Sequence, residues 1–273
     1  MDAESTEGNP IGKSTCLFEH LPEALPVLRD YEIQQKLLQW NLIDSLHLHR
    51  FLVHRRMPIE ADEALLSEFF QDKNTRRILP KISAHLGSYN DITDPSKSDK
   101  AFSLHFERLR VSVTSMAFFE KLELMGIVAR DGSIRGCMDE DFDGCRSEDL
   151  LTEMLSNPDS DNRNVFSMED QQEFIFHLFS ALVIGGGALR QADSRVQAYE
   201  DVTRALYRAL VSVRKTKVDA HNNQDIEITS RVYRVHGASL FEDPSSRFHS
   251  CFVILDARKR RLTVWYSPFR ASW

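Results

Sequence analysis

The sequence predicts an α+β fold: a single domain with several helices, including a long helical hairpin, and antiparallel strands mostly in the C-terminal third. Three observations predict it. Apolar residues recur at helical spacing through much of the chain before Lys215. Beyond Asp225 the period drops to two, with β-branched residues throughout. The 273 residues, 42% of them hydrophobic, suffice for one large core without a metal or disulfide staple.

Residues 1–16 include Gly8, Pro10 and Gly12 and little apolar content, and read as a flexible N-terminal tail, leaving 17–273 as the domain. Asp30 is placed to N-cap a helix over Tyr31–Trp40, whose Ile33, Leu37 and Trp40 share one face. Pro58 suits the entry to a second helix, Ile59–Phe70, with Leu65, Leu66, Phe69 and Phe70 as its stripe. Gly87–Lys100 reads as a loop. Partial alternation predicts a strand over Phe102–Val113, and Ser115–Met125 a helix closed by Gly126.

The acidic stretch Asp139–Asn164 reads as loop-rich, with one short helix near Ser147–Leu155. Ser167 and Asp170 stand at capping-box spacing, with Asp in place of the usual Glu. Behind them Phe174, Ile175, Leu178, Phe179 and Leu182 form one broad apolar face, which Gly185–Gly187 bring to a stop. Ser194–Val213 predicts the second arm of the helical hairpin, with Val196, Tyr199, Thr203, Leu206, Leu210 and Val213 in one row. Ile226–Val235 alternates as a strand. Phe252–Leu255 and Leu262–Tyr266 then flank a turn carrying Arg258, Lys259, Arg260 and Arg261, the pattern of a β-hairpin.

Composition narrows the function. Lys and Arg number 34 against 41 Asp and Glu, so the net charge is −7 and a general nucleic-acid binder is disfavoured. No apolar run reaches the ~18 residues of a membrane span. Cys16, Cys137, Cys145 and Cys251 form no C-x-x-C pair, and MDAESTEGNP lacks the pattern of an export signal. They read as reduced thiols in the cytoplasm.

Each candidate motif fails at a decisive residue. Gly8–Ser14 (GNPIGKS) is one residue short of a phosphate-binding loop and has no strand before it. Asp139, Asp141, Asp143 and Gly144 match the first half of a calcium loop, but Leu150 stands where the bidentate Glu is needed, so a solvated acidic loop is expected. Gly185–Gly187 do not make a dinucleotide loop, because Arg190 occupies the last glycine position. His47, His49 and His54 lack an H-E-x-x-H frame. His236, His249 and Asp256 would make a two-His-one-carboxylate iron site only in an unusual order, and Asp256 is better explained as a turn residue. There is no G-x-S-x-G elbow. Catalytic, cofactor-binding and metal-binding residues are therefore expected to be none.

Basic residues gather late in the chain, at Arg204, Arg208, Arg214, Lys215 and Lys217, and again at Arg258, Lys259, Arg260 and Arg261. One reading is a solvated surface. The other is a protein-binding face for an acidic partner, where complementary charge speeds encounter and fixes register.

The segments MEDQQEFIFHLFSALVIGGGALRQ, VQAYEDVTRALYRALVSVRK and IEITSRVYRV, from Met168 onward, resemble the cilia- and flagella-associated protein 300 family. So do FEHLP, LLQWNLI, EFFQD, SMAFFEKLELMGIVARDGSIRGCMDEDFD and FVILDARKRRLTVWY, in the family's order. The resemblance implies a non-enzymatic adaptor or assembly factor for outer and inner axonemal dynein arms. It implies work in the cytoplasm with chaperone-linked preassembly factors, delivery to the motile cilium by intraflagellar transport, and no cofactor. The chain departs from the family at Asn157–Val165, at DEDFDG and at Lys217–Asp225. The alternatives are a small metal-dependent enzyme using the C-terminal β region and a structural component of the axoneme.

Overall fold

The computed structural model describes residues 16–79, 104–215, 226–237, 240–241 and 245–271. The GNPIGKS motif, the tail before Cys16, the Gly87–Lys100 loop and the Lys217–Asp225 insert lie outside them. Eight α-helices and ten strands are described. The helices are α1 (Tyr31–Gln39), α2 (Asp62–Gln71), α3 (Lys73–Ile78), α4 (Lys121–Leu124), α5 (Leu150–Ser156), α6 (Met168–Gln171), α7 (Phe174–Ile184) and α8 (Val196–Leu210). The strands are β1 (Phe18–Leu21), β2 (His47–Val53), β3 (His105–Leu109), β4 (Gly136–Phe142), β5 (Cys145–Asp149), β6 (Val213–Lys215), β7 (Ile226–Ile228), β8 (Ser230–His236), β9 (Ser250–Asp256) and β10 (Arg261–Ser267).

A six-stranded antiparallel sheet, in the order β1-β2-β10-β9-β8-β3, forms the middle layer. Alternation along β9 shows how it is covered. Phe252 and Ile254 enter a core with Leu178, Phe179, Leu182 and Leu206 of α7 and α8, while Val253 and Leu255 face Leu65, Leu66, Phe69 and Phe70 of α2. Helices on both faces leave β9 buried at every position. The antiparallel α+β architecture and the long helical hairpin, here α7 and α8, are as the sequence predicts.

Local chemistry sets the helix ends. The Asp30 carboxylate accepts from the N–H groups of Glu32 and Ile33, capping α1. Ser167 and Asp170 form the reciprocal capping box, but α6 ends after one turn. The buried Glu173 breaks it there. Its carboxylate accepts from the Ser112 N–H (3.0 Å) and hydroxyl (2.5 Å), and Phe174 N–H donates to the Arg110 carbonyl. The apolar helix restarts at Phe174, pinned to the segment that leaves β3.

Gly185 ends α7 at φ 71°, a conformation that favours glycine. The next residue has a different reason to be glycine. A Cβ on Gly186 would lie 1.8 Å from the Asn41 carbonyl oxygen, because this turn packs against the end of α1. Trp40 is anchored beside it, stacked on Tyr199 at 4.6 Å and donating from Nε1 to Asp193 at 2.8 Å.

Several elements differ in extent from the sequence reading. The second predicted helix begins as a 3-10 turn, Ile59–Ala61, before α2. Ser115–Met125 divides into a 3-10 turn, Met116–Phe119, and α4. The predicted strand over Phe102–Val113 is ordered into the sheet at His105–Leu109, its first two residues lying outside the described set. Ile226–Val235 divides at Thr229, whose N–H and hydroxyl both donate to the Ser212 carbonyl, so β7 pairs with β6 while β8 joins the main sheet. Val213 accordingly leaves the helical row and is exposed on β6. The acidic stretch contains a hairpin, β4–β5, turning on Asp143 (φ 53°) and Gly144 (φ 79°), the Asp-Gly pair that two-residue turns favour. Strands β1 and β2 had no counterpart in the sequence reading.

Candidate protein-docking surface

The basic turn between β9 and β10 is shaped by Asp256. Its carboxylate accepts from the Lys259 N–H at 2.9 Å, and Arg260 takes a left-handed φ of 49°. The same carboxylate accepts from the Ser212 hydroxyl at 2.6 Å, and Lys259 Nζ donates to that hydroxyl at 2.7 Å. Ser212 N–H in turn donates to Ser230 Oγ. Burial opposes ionisation of Asp256, but the Ser212 and Lys259 contacts outweigh it and hold the carboxyl below its ordinary value.

This network ties the β9–β10 turn to the segment that leaves α8. It brings Arg258, Lys259, Arg260 and Arg261 to the same end of the sheet as Arg214 and Lys215, all exposed. Arg214 is paired with Glu227 and Lys259 with Asp256. Arg208 is exposed in the last turn of α8, whereas Arg204 sits a turn earlier, paired with Asp201 at 2.6 Å.

Two cations here escaped the sequence reading. The Arg260 carbonyl accepts from Val53 N–H, so β2 ends against the basic turn and the chain leaves it through Arg55 and Arg56. Arg55 pairs with Glu68, and Arg56 is exposed. The adjacent Arg-Arg pair after a strand with His47, His49, Phe51 and Val53 at alternate positions was the available signal.

The other chemistry-bearing residues are engaged elsewhere. Asp139 pairs with Arg146 and Asp143 with Arg247, while Asp141 accepts from Gly144 N–H. Glu148 pairs with Arg146, and Asp149 caps α5. His236 and Asp256 occupy opposite ends of antiparallel neighbours, since Ser230 is the residue that pairs with Asp256. His236 bonds to Glu107 at 3.0 Å, and His249 accepts from Phe269 N–H through Nδ1. His54 bonds to Glu19, and His49 lies beside His20 with the rings tilted at 5.6 Å, burial and then that neighbour lowering its pKa. Among the described residues no group of three or more His, Cys, Asp or Glu side chains is placed to hold a metal. Burial pushes the Cys145 thiol up to about 11 and raises Cys137 and Cys251 as well, so these thiols stay protonated at neutral pH. Among the described residues no helix is long and apolar enough to cross a membrane.

The chain is thus an α+β domain with one strongly basic end, organised by hydrogen bonds between elements far apart in sequence. The family model for cilia- and flagella-associated protein 300 matches residues 15–267, and the chain belongs to that family. A cilia- and flagella-associated protein 300 of Chlamydomonas reinhardtii is 24% identical over 265 residues, 93% of this chain and 98% of the relative. One of Paramecium tetraurelia is 30% identical over 247 residues, 90% of this chain and 91% of the relative. No solved structure matches the chain. The family name associates the chain with cilia and flagella and names no enzymatic activity.

Proposed function

We propose that the protein is a non-enzymatic adaptor or assembly factor for the outer and inner dynein arms of motile axonemes. It acts in the cytoplasm with chaperone-linked preassembly factors and is carried into the cilium by intraflagellar transport. Membership of a cilia- and flagella-associated family supports the ciliary setting. The observation that carries the adaptor reading is the basic end of the sheet, where Arg214, Lys215 and Arg258–Arg261 are held together by Ser212, Asp256 and Lys259 on a chain of net charge −7. A cationic patch on an anionic body orients an acidic partner and repels misdocked ones.

The test is genetic replacement in a motile-ciliated cell. Loss of the protein should leave axonemes without dynein arms in cross-section, and the wild-type chain should restore them. A chain with Arg214, Lys215, Arg258 and Arg261 changed to Glu should fail to restore them while remaining folded. Normal arms in the null cell would overturn the assembly reading. Restoration by the charge-reversed chain would overturn the basic end as the dock. Detergent extraction separates this role from that of a structural axonemal component, which would stay with the demembranated axoneme.

A further inference from the structure

At the other end of the sheet from the basic turn, a cleft of about 590 Å³ opens between α5, α7 and the start of β9. Its volume falls within the range of ligand-binding clefts. Aromatic and thioether side chains, Phe166, Phe176, Phe248, Met154 and Met168, supply apolar wall. Its charged lining is of one sign. Arg163, Arg234 and Arg247 line it, and none of the described lining residues is an Asp or Glu.

The cations are not equally committed. Arg247 pairs with Asp143 from outside the cleft and donates to the Ser156 carbonyl. Arg163 is exposed at the rim and donates to the Pro158 carbonyl. Arg234 is half-buried on β8 and makes no hydrogen bond or ion pair with any described residue. The acid opposite it on β3, Glu107, is hydrogen-bonded to His236. Burial lowers the pKa of Arg234 and raises the cost of its charge, with Glu107 offsetting part of this. Two hydroxyls on the lining also lack a partner among the described residues. Ser156 Oγ and Ser180 Oγ are both buried without a hydrogen bond, and Ser156 is only 1% exposed. A half-buried unpaired guanidinium and two unpaired buried hydroxyls on one concave surface are polar capacity that the described fold leaves unused.

We infer that this cleft docks an extended acidic peptide segment of a partner protein, with a carboxylate on Arg234 and an adjacent apolar or aromatic side chain against Phe166, Phe176 and Phe248. Charge complementarity selects the acid, and the apolar walls select a peptide over a free inorganic anion. Methionine on two sides gives the wall tolerance for different anchors. The site is separate from the basic end and stands whether or not that end docks a partner.

A random-peptide phage library panned on the full chain, followed by fluorescence polarisation with the enriched peptides, tests this. The enriched peptides should carry Asp or Glu beside Phe, Leu or Met. Arg234→Gln should weaken them about tenfold or more, and the rim variant Arg163→Glu about threefold. Arg258→Glu with Arg261→Glu should leave them unchanged. Circular dichroism of each variant establishes that it is folded, and Arg163, being exposed, keeps the test usable if Arg234→Gln is not. No enrichment, enrichment of peptides without acidic residues, or affinity unaltered by the folded cleft variants would overturn the inference. So would Arg234-dependent stabilisation by inorganic phosphate with no peptide bound, which would make the cleft a small-anion pocket.

Discussion

Asp62, at the head of α2, and Arg231, at the start of β8, are 169 residues apart and hold each other by two hydrogen bonds of 2.5 and 2.6 Å. Arg231 also donates to the Met57 carbonyl, and the Tyr233 hydroxyl donates to Asp62. The pair fastens the smaller helical layer to the sheet. Asp62 is 2% exposed, so Asp62→Asn strands a buried cation and should cost about 3 kcal/mol or more. A urea titration should show a lower midpoint with an unchanged slope. Replacing both partners, with Leu at Asp62 and Met at Arg231, should recover part of the loss, since the unpaired charge disappears.

Glu173 makes a different prediction. Its buried carboxylate satisfies Ser112 twice and approaches Arg110 Nε at 3.4 Å. Glu173→Gln keeps the shape but replaces an acceptor oxygen with a donor amide facing donors. The expected loss is about 1–3 kcal/mol. Hydrogen exchange should speed up first at Phe174 and Ser112, where α7 is pinned to the strand side.

Gly186→Ala should destabilise the protein by about 1–3 kcal/mol, because the added Cβ must displace the Asn41 carbonyl. Gly136→Ala is the control, since its Cβ would meet the nearest atom at an ordinary 3.6 Å. Its melting temperature should stay near that of the wild type.

Acid should weaken the fold through a buried histidine. Burial, and then the nearby Arg234 charge, lowers the His177 pKa from 6.5 to about 4. As pH falls below 6.5, the unfolded chain takes up a proton that the folded chain refuses. Stability is therefore complete above pH 6.5 and falls towards pH 4, by up to about 3 kcal/mol from this group. His20 and His49, also lowered, add in the same sense. Denaturant midpoints across this range should show the slope, and His177→Gln should reduce it. A flat profile in the wild type would contradict the assignment.

What could be read from the sequence was local. Asp30 and the Ser167–Asp170 box act within three residues, and the stripe of α7 carries its own period. The run Arg258–Arg261 was legible as a turn for the same reason. Strand β2 was hidden because His47 and His49 interrupt its apolar alternation and its partner β10 lies near the other end of the chain. Asp143-Gly144 was obscured by the acids around it, whose spacing suggests calcium before it suggests a turn. The assembled basic end depends on Ser212 meeting Asp256, and the cleft on Arg234 having no hydrogen bond or ion pair among the described residues. Neither relation has a sequence period.

The strand order sets when this protein is able to exist. Strands β1 and β2 are made before β3 and β8, but the two pairs become one sheet only when β9 and β10 arrive between β2 and β8. The nascent chain must hold apolar strand faces in waiting until β10 has been translated. A stop codon between His236 and Ser250 would spare every described helix and still remove the two middle strands. It would leave two separate strand pairs with no sheet between them.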